Sequence, residues 1–158
     1  MLSVTKKFEF EACHHLPHYD GACHNMHGHS YKLEVTVCGE PIKDTSDPKC
    51  GMIVDFKDLK KIVKENVIDI YDHSCLDVFF DNPTAENMVI TISHIIIEKL
   101  PKGVKLVSCK LWETSTSYAE YNLMQEELED RLSQLERSLY GDKGVLKYAD
   151  NDILRPAT

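Results

Sequence analysis

Two stretches of this chain alternate apolar and charged residues at a period of two, and histidines continue both patterns. From Val4 to Cys13, Phe8, Phe10 and Ala12 share one face while Lys7, Glu9 and Glu11 share the other. From Tyr31 to Cys38, Tyr31, Leu33, Val35 and Val37 oppose Lys32, Glu34 and Thr36. Successive side chains of a strand point to opposite faces, so each stretch reads as a half-buried strand of antiparallel type. His14 keeps the parity of Phe8, Phe10 and Ala12; His27 and His29 keep that of Tyr31 and Leu33. If the two strands are neighbours, three imidazoles leave one surface within bonding reach of a single ion. Gly28 keeps the segment between two of them free of bulk. His15 has the opposite parity and His18 lies close by, and both read as loop or surface residues.

Three histidines and one open position form a pattern of catalytic zinc, whereas structural zinc is normally closed by four protein ligands. The other reading is a set of histidines that binds nothing. Cys23, separated from His27 by three residues, leaves two possibilities. It is either a fourth ligand that closes the site or a thiol beside the metal, where a cation and histidine favour thiolate.

The rest of the chain supplies a domain around these strands. Its 158 residues suit one ordinary domain, and a formal net charge of −8 argues against nonspecific nucleic-acid or anionic-membrane binding. The first residues show no signal-peptide apolar region, and no apolar stretch is long enough to cross a bilayer. The six cysteines include no Cys-x-x-Cys pair and read as reduced cytosolic thiols, most of them packed as small hydrophobes. A cytoplasmic protein is the expectation. Gly39 to Gly51 is turn-rich. Asp55 caps a helix in which Phe56, Leu59, Ile62, Val63, Val67 and Ile70 recur at helical spacing. Asn82-Pro83-Thr84 opens a second helix, with Met88, Ile92, Ile95 and Ile96 apolar until Pro101. Val104 to Trp112 is a third strand and Ser117 to Tyr121 a fourth. The order ββααββ predicts an α+β domain, a four-stranded antiparallel sheet with two helices on one face. Leu128, Leu132, Leu135 and Leu139 stripe an amphipathic helix in the tail that needs a partner, either its own domain or another subunit.

Two further features bear on chemistry. In Asp72-His73 a carboxylate adjoins an imidazole, which suits a proton relay but is also an ordinary helix end. Glu113 ends the apolar parity of Val107, Cys109 and Leu111, so its carboxylate needs a salt bridge or a ligand N–H donor.

Six motifs stand in order over residues 4 to 121: Phe-Glu-Ala-Cys-His-His-Leu-Pro, Cys-x-x-x-His-Gly-His-Ser-Tyr, Ile-Val-Asp-Phe-x-x-Leu-Lys, Asp-His-x-x-Leu, Asn-Pro-Thr-Ala-Glu-Asn and Trp-Glu-Thr. In this the chain resembles the 6-pyruvoyl-tetrahydropterin synthase superfamily. The three residues between Cys23 and His27, with Asp55-Phe56 and Asn82-Pro83-Thr84, are most similar to its bacterial 6-carboxytetrahydropterin synthases of the queuosine pathway. The resemblance implies the tunnelling fold, or T-fold, over residues 1–121, with 122–158 a helical extension and tail. It implies zinc on His14, His27 and His29, with Cys23 as general acid/base and Asp72 and His73 as the relay. Glu113 would anchor the pterin N–H groups and Thr84 would contact the pterin. The implied substrate is 7,8-dihydroneopterin triphosphate, converted to 6-carboxytetrahydropterin with release of acetaldehyde and triphosphate. The implied assembly is a homohexamer, a dimer of trimers, with active sites between subunits. Cys13 stands where the family often has alanine and reads as a packed thiol. The tail has no counterpart in shorter members.

Overall fold

The two alternating stretches pair as neighbours. In the computed structural model, which describes residues 2–123 and 132–135, β1 (Ser3–His14) and β2 (His27–Gly39) run antiparallel. Phe10 lies opposite Tyr31, Ala12 opposite His29 and His14 opposite His27. β2 pairs in turn with β4 (Val104–Trp112), and β4 with β5 (Tyr118–Asn122). The class is α+β, as the sequence indicates, but the sheet has five strands rather than four, in the order β3-β1-β2-β4-β5. The additional strand, β3 (Ser74–Cys75), runs parallel to β1 at the sheet's edge. Two residues are too few to show an alternation. Hydrogen bonds that sequence does not display hold it there: Glu11 N–H donates to Asp72 Oδ1 at 2.9 Å, and His73 N–H to the Glu11 carbonyl at 2.6 Å.

Helices α1 (Phe56–Val63) and α3 (Ala85–Lys99) cover the apolar face. Asp55 caps α1 by accepting from Lys57 N–H, and Thr84 caps α3 by accepting from Asn87 N–H. Past Val63 the chain widens into a π-turn over Lys64–Ile68 before the last turn, α2 (Asp69–Tyr71). That turn corrects the 3.6-residue reading. The buried series is Leu59, Val63, Val67 and Tyr71, four apart each time, while Phe56 and Ile70 are exposed. A strict step of four drifts around a 3.6-residue helix, and the wider turn removes the drift.

A second correction lies in β4. The register slips between Thr36 and Val37, so that Val37 faces Leu106 and Thr36 faces Ser108, leaving Val107 unpaired. Parity inverts across such a bulge. Leu106 is therefore buried together with Cys109 and Leu111, and Val107 is not.

The core joins Phe10, Tyr31, Leu33, Val35 and Val37 of the sheet to Leu59, Val63, Met88, Ile92 and Ile96 of the helices. Fully burying such a side chain stabilises the fold by about 1.5–3 kcal/mol. The chain divides into two compact units, Met1–Leu123 and Met124–Thr158. Of the leucine stripe, Leu132 and Leu135 are helical and exposed; Leu128 and Leu139 lie outside the described residues. Among the described residues, no helix is long and apolar enough to cross a membrane.

Candidate metal centre and active site

Pairing β1 with β2 brings three imidazoles to one end of the sheet's buried face. One ring nitrogen from each of His14, His27 and His29 lies within 4.8 Å of the others. The ring centroids are 4.6 Å apart for His14 and His27, 4.8 Å for His27 and His29, and 5.2 Å for His14 and His29. Gly28 makes this approach possible: a Cβ there would stand 3.1 Å from the Ala12 carbonyl oxygen across the strand pair.

Backbone carbonyls set the tautomers. His14 Nδ1–H donates to the Pro83 carbonyl at 2.8 Å, and His27 Nδ1–H to the Asn25 carbonyl at 2.8 Å. Both rings thereby turn a lone pair at Nε2 toward the cluster, as metal-ligating histidines do. His29 Nε2 is buried and, among the described residues, has no hydrogen-bond partner. Burial holds the His29 imidazole below its ordinary pKa; His14 and His27 act in the same direction and Glu113 opposes them. A neutral imidazole with an unsatisfied buried nitrogen is what a divalent cation requires, so the residues present fit a metal ion.

Pro83 carries out a function that sequence did not indicate. Its carbonyl precedes the cap Thr84, so no N–H of α3 claims it, and it is free to accept from His14. No pattern of residue types marks a carbonyl for that use.

Glu113 follows β4 at the start of a turn, where its N–H donates to the Ser117 carbonyl at 3.1 Å. Its Oε1 stands 3.6 Å from His14 Nε2 and 3.9 Å from His29 Nε2. The carboxylate thus faces the imidazoles. It also lines a cavity of about 190 Å³ with Thr84, Leu16 and Tyr118. Thr84 combines cap and cavity wall. The Tyr31 hydroxyl lies 3.5 Å from His14 Nε2, and burial, reinforced by the Glu113 charge, raises its pKa and keeps it protonated.

Cys23 sits half-buried in a short 3₁₀ turn, Ala22–His24, and its carbonyl accepts from Leu16 N–H at 2.8 Å. The ligand atoms that cluster are those of the three imidazoles, and the Cys23 sulfur is not among them. His15 is ion-paired with Asp77, away from the cluster's parity.

Asp72 and His73 do form a pair, with His73 Nδ1 3.0 Å from Asp72 Oδ1. The Glu11 backbone N–H, more than any other group, holds the Asp72 carboxyl below the usual carboxylate range, and His73 adds to the effect. His73 has positive φ (57°) and a side chain 78% exposed. Among the described residues no hydrogen bond or ion pair connects Asp72 or His73 to the triad. His73 and His29 nevertheless border the same cavity of about 470 Å³, at the β1–β3 edge.

Known proteins share this arrangement of chain. A family model described as 6-pyruvoyl tetrahydropterin synthase matches residues 3–124. The 6-carboxy-5,6,7,8-tetrahydropterin synthase of Haemophilus influenzae is 33% identical over 143 residues, covering 77% of this chain and 99% of that protein. The dihydroneopterin monophosphate aldolase of Pyrococcus furiosus is 43% identical over 88 residues, 56% of this chain and 70% of that protein. Among solved structures, the 6-pyruvoyl tetrahydropterin synthase of Caenorhabditis elegans superposes with a TM-score of 0.64 at 28% identity, covering 77% of this chain and 94% of that one.

Proposed function

Because the chain belongs to the 6-pyruvoyl tetrahydropterin synthase family, we propose that it is a zinc-dependent carbon–carbon lyase acting on 7,8-dihydroneopterin triphosphate. Its products are 6-carboxy-5,6,7,8-tetrahydropterin, acetaldehyde and triphosphate, in the queuosine branch of 7-deazaguanine biosynthesis. The observation that carries this reading is the convergence of His14, His27 and His29 beside Glu113, in a chain spanning nearly the whole of a 6-carboxytetrahydropterin synthase.

His14, His27 and His29 hold the ion. When bound there, zinc supplies Lewis acidity toward the side-chain oxygens of the substrate. Glu113 accepts hydrogen bonds from the pterin amino and ring N–H groups, with Thr84 on the same cavity wall. Cys23 takes and returns a proton at the side-chain carbons, and Asp72 orients His73 to relay it. The exposed relay serves the zinc site of a neighbouring subunit in a homohexamer, a dimer of trimers. The domain ends near residue 121, and the leucine-striped extension packs on a neighbouring subunit. An unchanged oligomer mass after truncation before Met124 would contradict that last role.

The similarity to an archaeal dihydroneopterin monophosphate aldolase supports a second reading, side-chain trimming without formation of the carboxylate. Product analysis of the zinc-loaded protein with dihydroneopterin triphosphate separates the two: acetaldehyde and free triphosphate support the lyase, a phosphorylated aldehyde fragment the aldolase. In the same assay Cys23→Ala is expected to keep zinc and lose turnover by about 10²–10⁴-fold. Loss of zinc from that variant would make the thiol a ligand.

A further inference from the structure

Beyond the residues given a part in that chemistry, two cysteines meet where β3 joins the sheet. Cys13 and Cys75 are register partners in the parallel pairing of β1 and β3. Paired residues of neighbouring strands project from the same side of a sheet, on backbones about 4.8 Å apart. A disulfide spans Cα separations of about 4.4–6.8 Å, a range that includes the spacing of paired neighbouring strands. Both thiols are half-buried and line the 470 Å³ cavity, which admits small solutes to both. Cys13, read from sequence as a packed thiol, is half-buried and borders this cavity.

Their other contacts leave them available. The Cys13 thiol donates to the Ser74 carbonyl at 3.7 Å, and the Cys75 thiol to Asp77 Oδ2 at 3.2 Å. The bond to Asp77 chiefly holds the Cys75 thiol above its ordinary pKa; the pairing itself rests on the register that places the two residues side by side. Buried Cys38 and Cys109 have no such access, and exposed Cys50 lies in the loop beyond β2, away from this edge.

We infer that Cys13 and Cys75 form an oxidisable dithiol whose disulfide ties β3 to β1. The oxidant is a small peroxide. One sulfur takes an oxygen as the O–O bond of hydrogen peroxide breaks, giving a sulfenic acid and one water. The second sulfur displaces that hydroxyl, forming the S–S bond and releasing the second water with both thiol hydrogens. The peroxide gains the two electrons the sulfurs lose, and a dithiol reductant reverses the exchange. The bond would join the residue before His14 to the segment that immediately follows Asp72-His73. It adds a covalent tie to two rungs of backbone pairing, so oxidation restricts how far the relay segment can move from the strand that carries His14.

The test is oxidation of the full chain with limiting hydrogen peroxide, followed by non-reducing chymotryptic mapping; cleavage after Tyr19 separates Cys13 from Cys23. The expected result is a Cys13–Cys75 cross-linked peptide that dithiothreitol abolishes. Cys13→Ala and Cys75→Ser should each eliminate it, while Cys50→Ser leaves it intact. Hydrogen exchange of residues 72–76 in the oxidised wild type should slow, a readout that needs no variant to fold and no activity. Sulfinic or sulfonic acid on either cysteine without the cross-link, pairing with Cys23 instead, or thiols that stay reduced while Cys50 reacts would overturn the inference.

Discussion

The histidine triad and the Asp72-His73 pair are both acid–base constellations, yet the fold builds them in opposite ways. His14 is buried at the end of a 12-residue strand, and its ring is fixed by a carbonyl from the far side of the core. His73 stands out in solvent on a left-handed residue, next to a strand of two residues. The triad is complete within one chain, since its ligands come from strands paired over their whole length. The Asp72-His73 pair is fixed at its backbone and open at its imidazole. A metal site gains from burial because neutral, unsatisfied nitrogens favour the ion. The proton relay proposed for Asp72-His73 would gain from exposure, because an exposed ring can reach a group that lies beyond its own strand.

The sharpest way to break this contrast is to delete one member of each constellation. His14→Ala should weaken zinc binding beyond the roughly 10–100-fold that loss of an outer-shell partner costs, measured by competition with a chromogenic chelator. His73→Ala should leave zinc content unchanged and stability within about 0.5 kcal/mol, as surface changes do, while turnover falls. Equal loss of zinc in both variants would erase the distinction.

A smaller effect tests where the exposed imidazole acts. Cys23→Ala and His73→Ala subunits, each inactive alone, should regain up to about a quarter of wild-type turnover when unfolded and reassembled together, because random pairing leaves about that share of shared sites intact. Absence of recovery in verified mixed oligomers would place both residues in the same subunit's site.

The smallest effect concerns acid stability. Folding depresses the Asp72 pKa, so the unfolded chain binds the proton more readily. Asp72 therefore contributes stability above the ordinary carboxylate pKa, and this is lost as pH falls through the depressed folded value. Asp72→Asn should accordingly flatten the drop in melting temperature below about pH 4, where the unfolded aspartate titrates. An unchanged acid limb would show that the Glu11 N–H bond does not discriminate between the two protonation states.

Sequence makes one side of this contrast far easier to read than the other. Period-two alternation runs through β1 and β2, and parity alone separates His14 from His15. The same logic fails wherever the backbone departs from ideal geometry. Val107 follows the apolar parity on paper, but the bulge opposite Thr36 and Val37 hands its place to Leu106. Ile70 fits a 3.6-residue helix, but the π-turn presents Tyr71 to the core instead. β3 is invisible because a two-residue strand has no period. Its place depends on Glu11 and Asp72, residues 61 apart in the chain. Main-chain acceptors such as Pro83 leave no trace in residue type at all.

The His14–Pro83 bond has a reciprocal side. The accepting carbonyl sits one residue ahead of the α3 cap, so the orientation of a ring proposed to hold the metal is linked to the integrity of that helix's first turn. Linkage is symmetric: fraying at Thr84 would cost affinity for an ion on His14, and an ion on His14 would suppress fraying at Thr84 by the same free energy. Amide protection at Asn87 and Met88, whose N–H groups donate to Thr84, is therefore a gauge of metal occupancy read from the far side of the core.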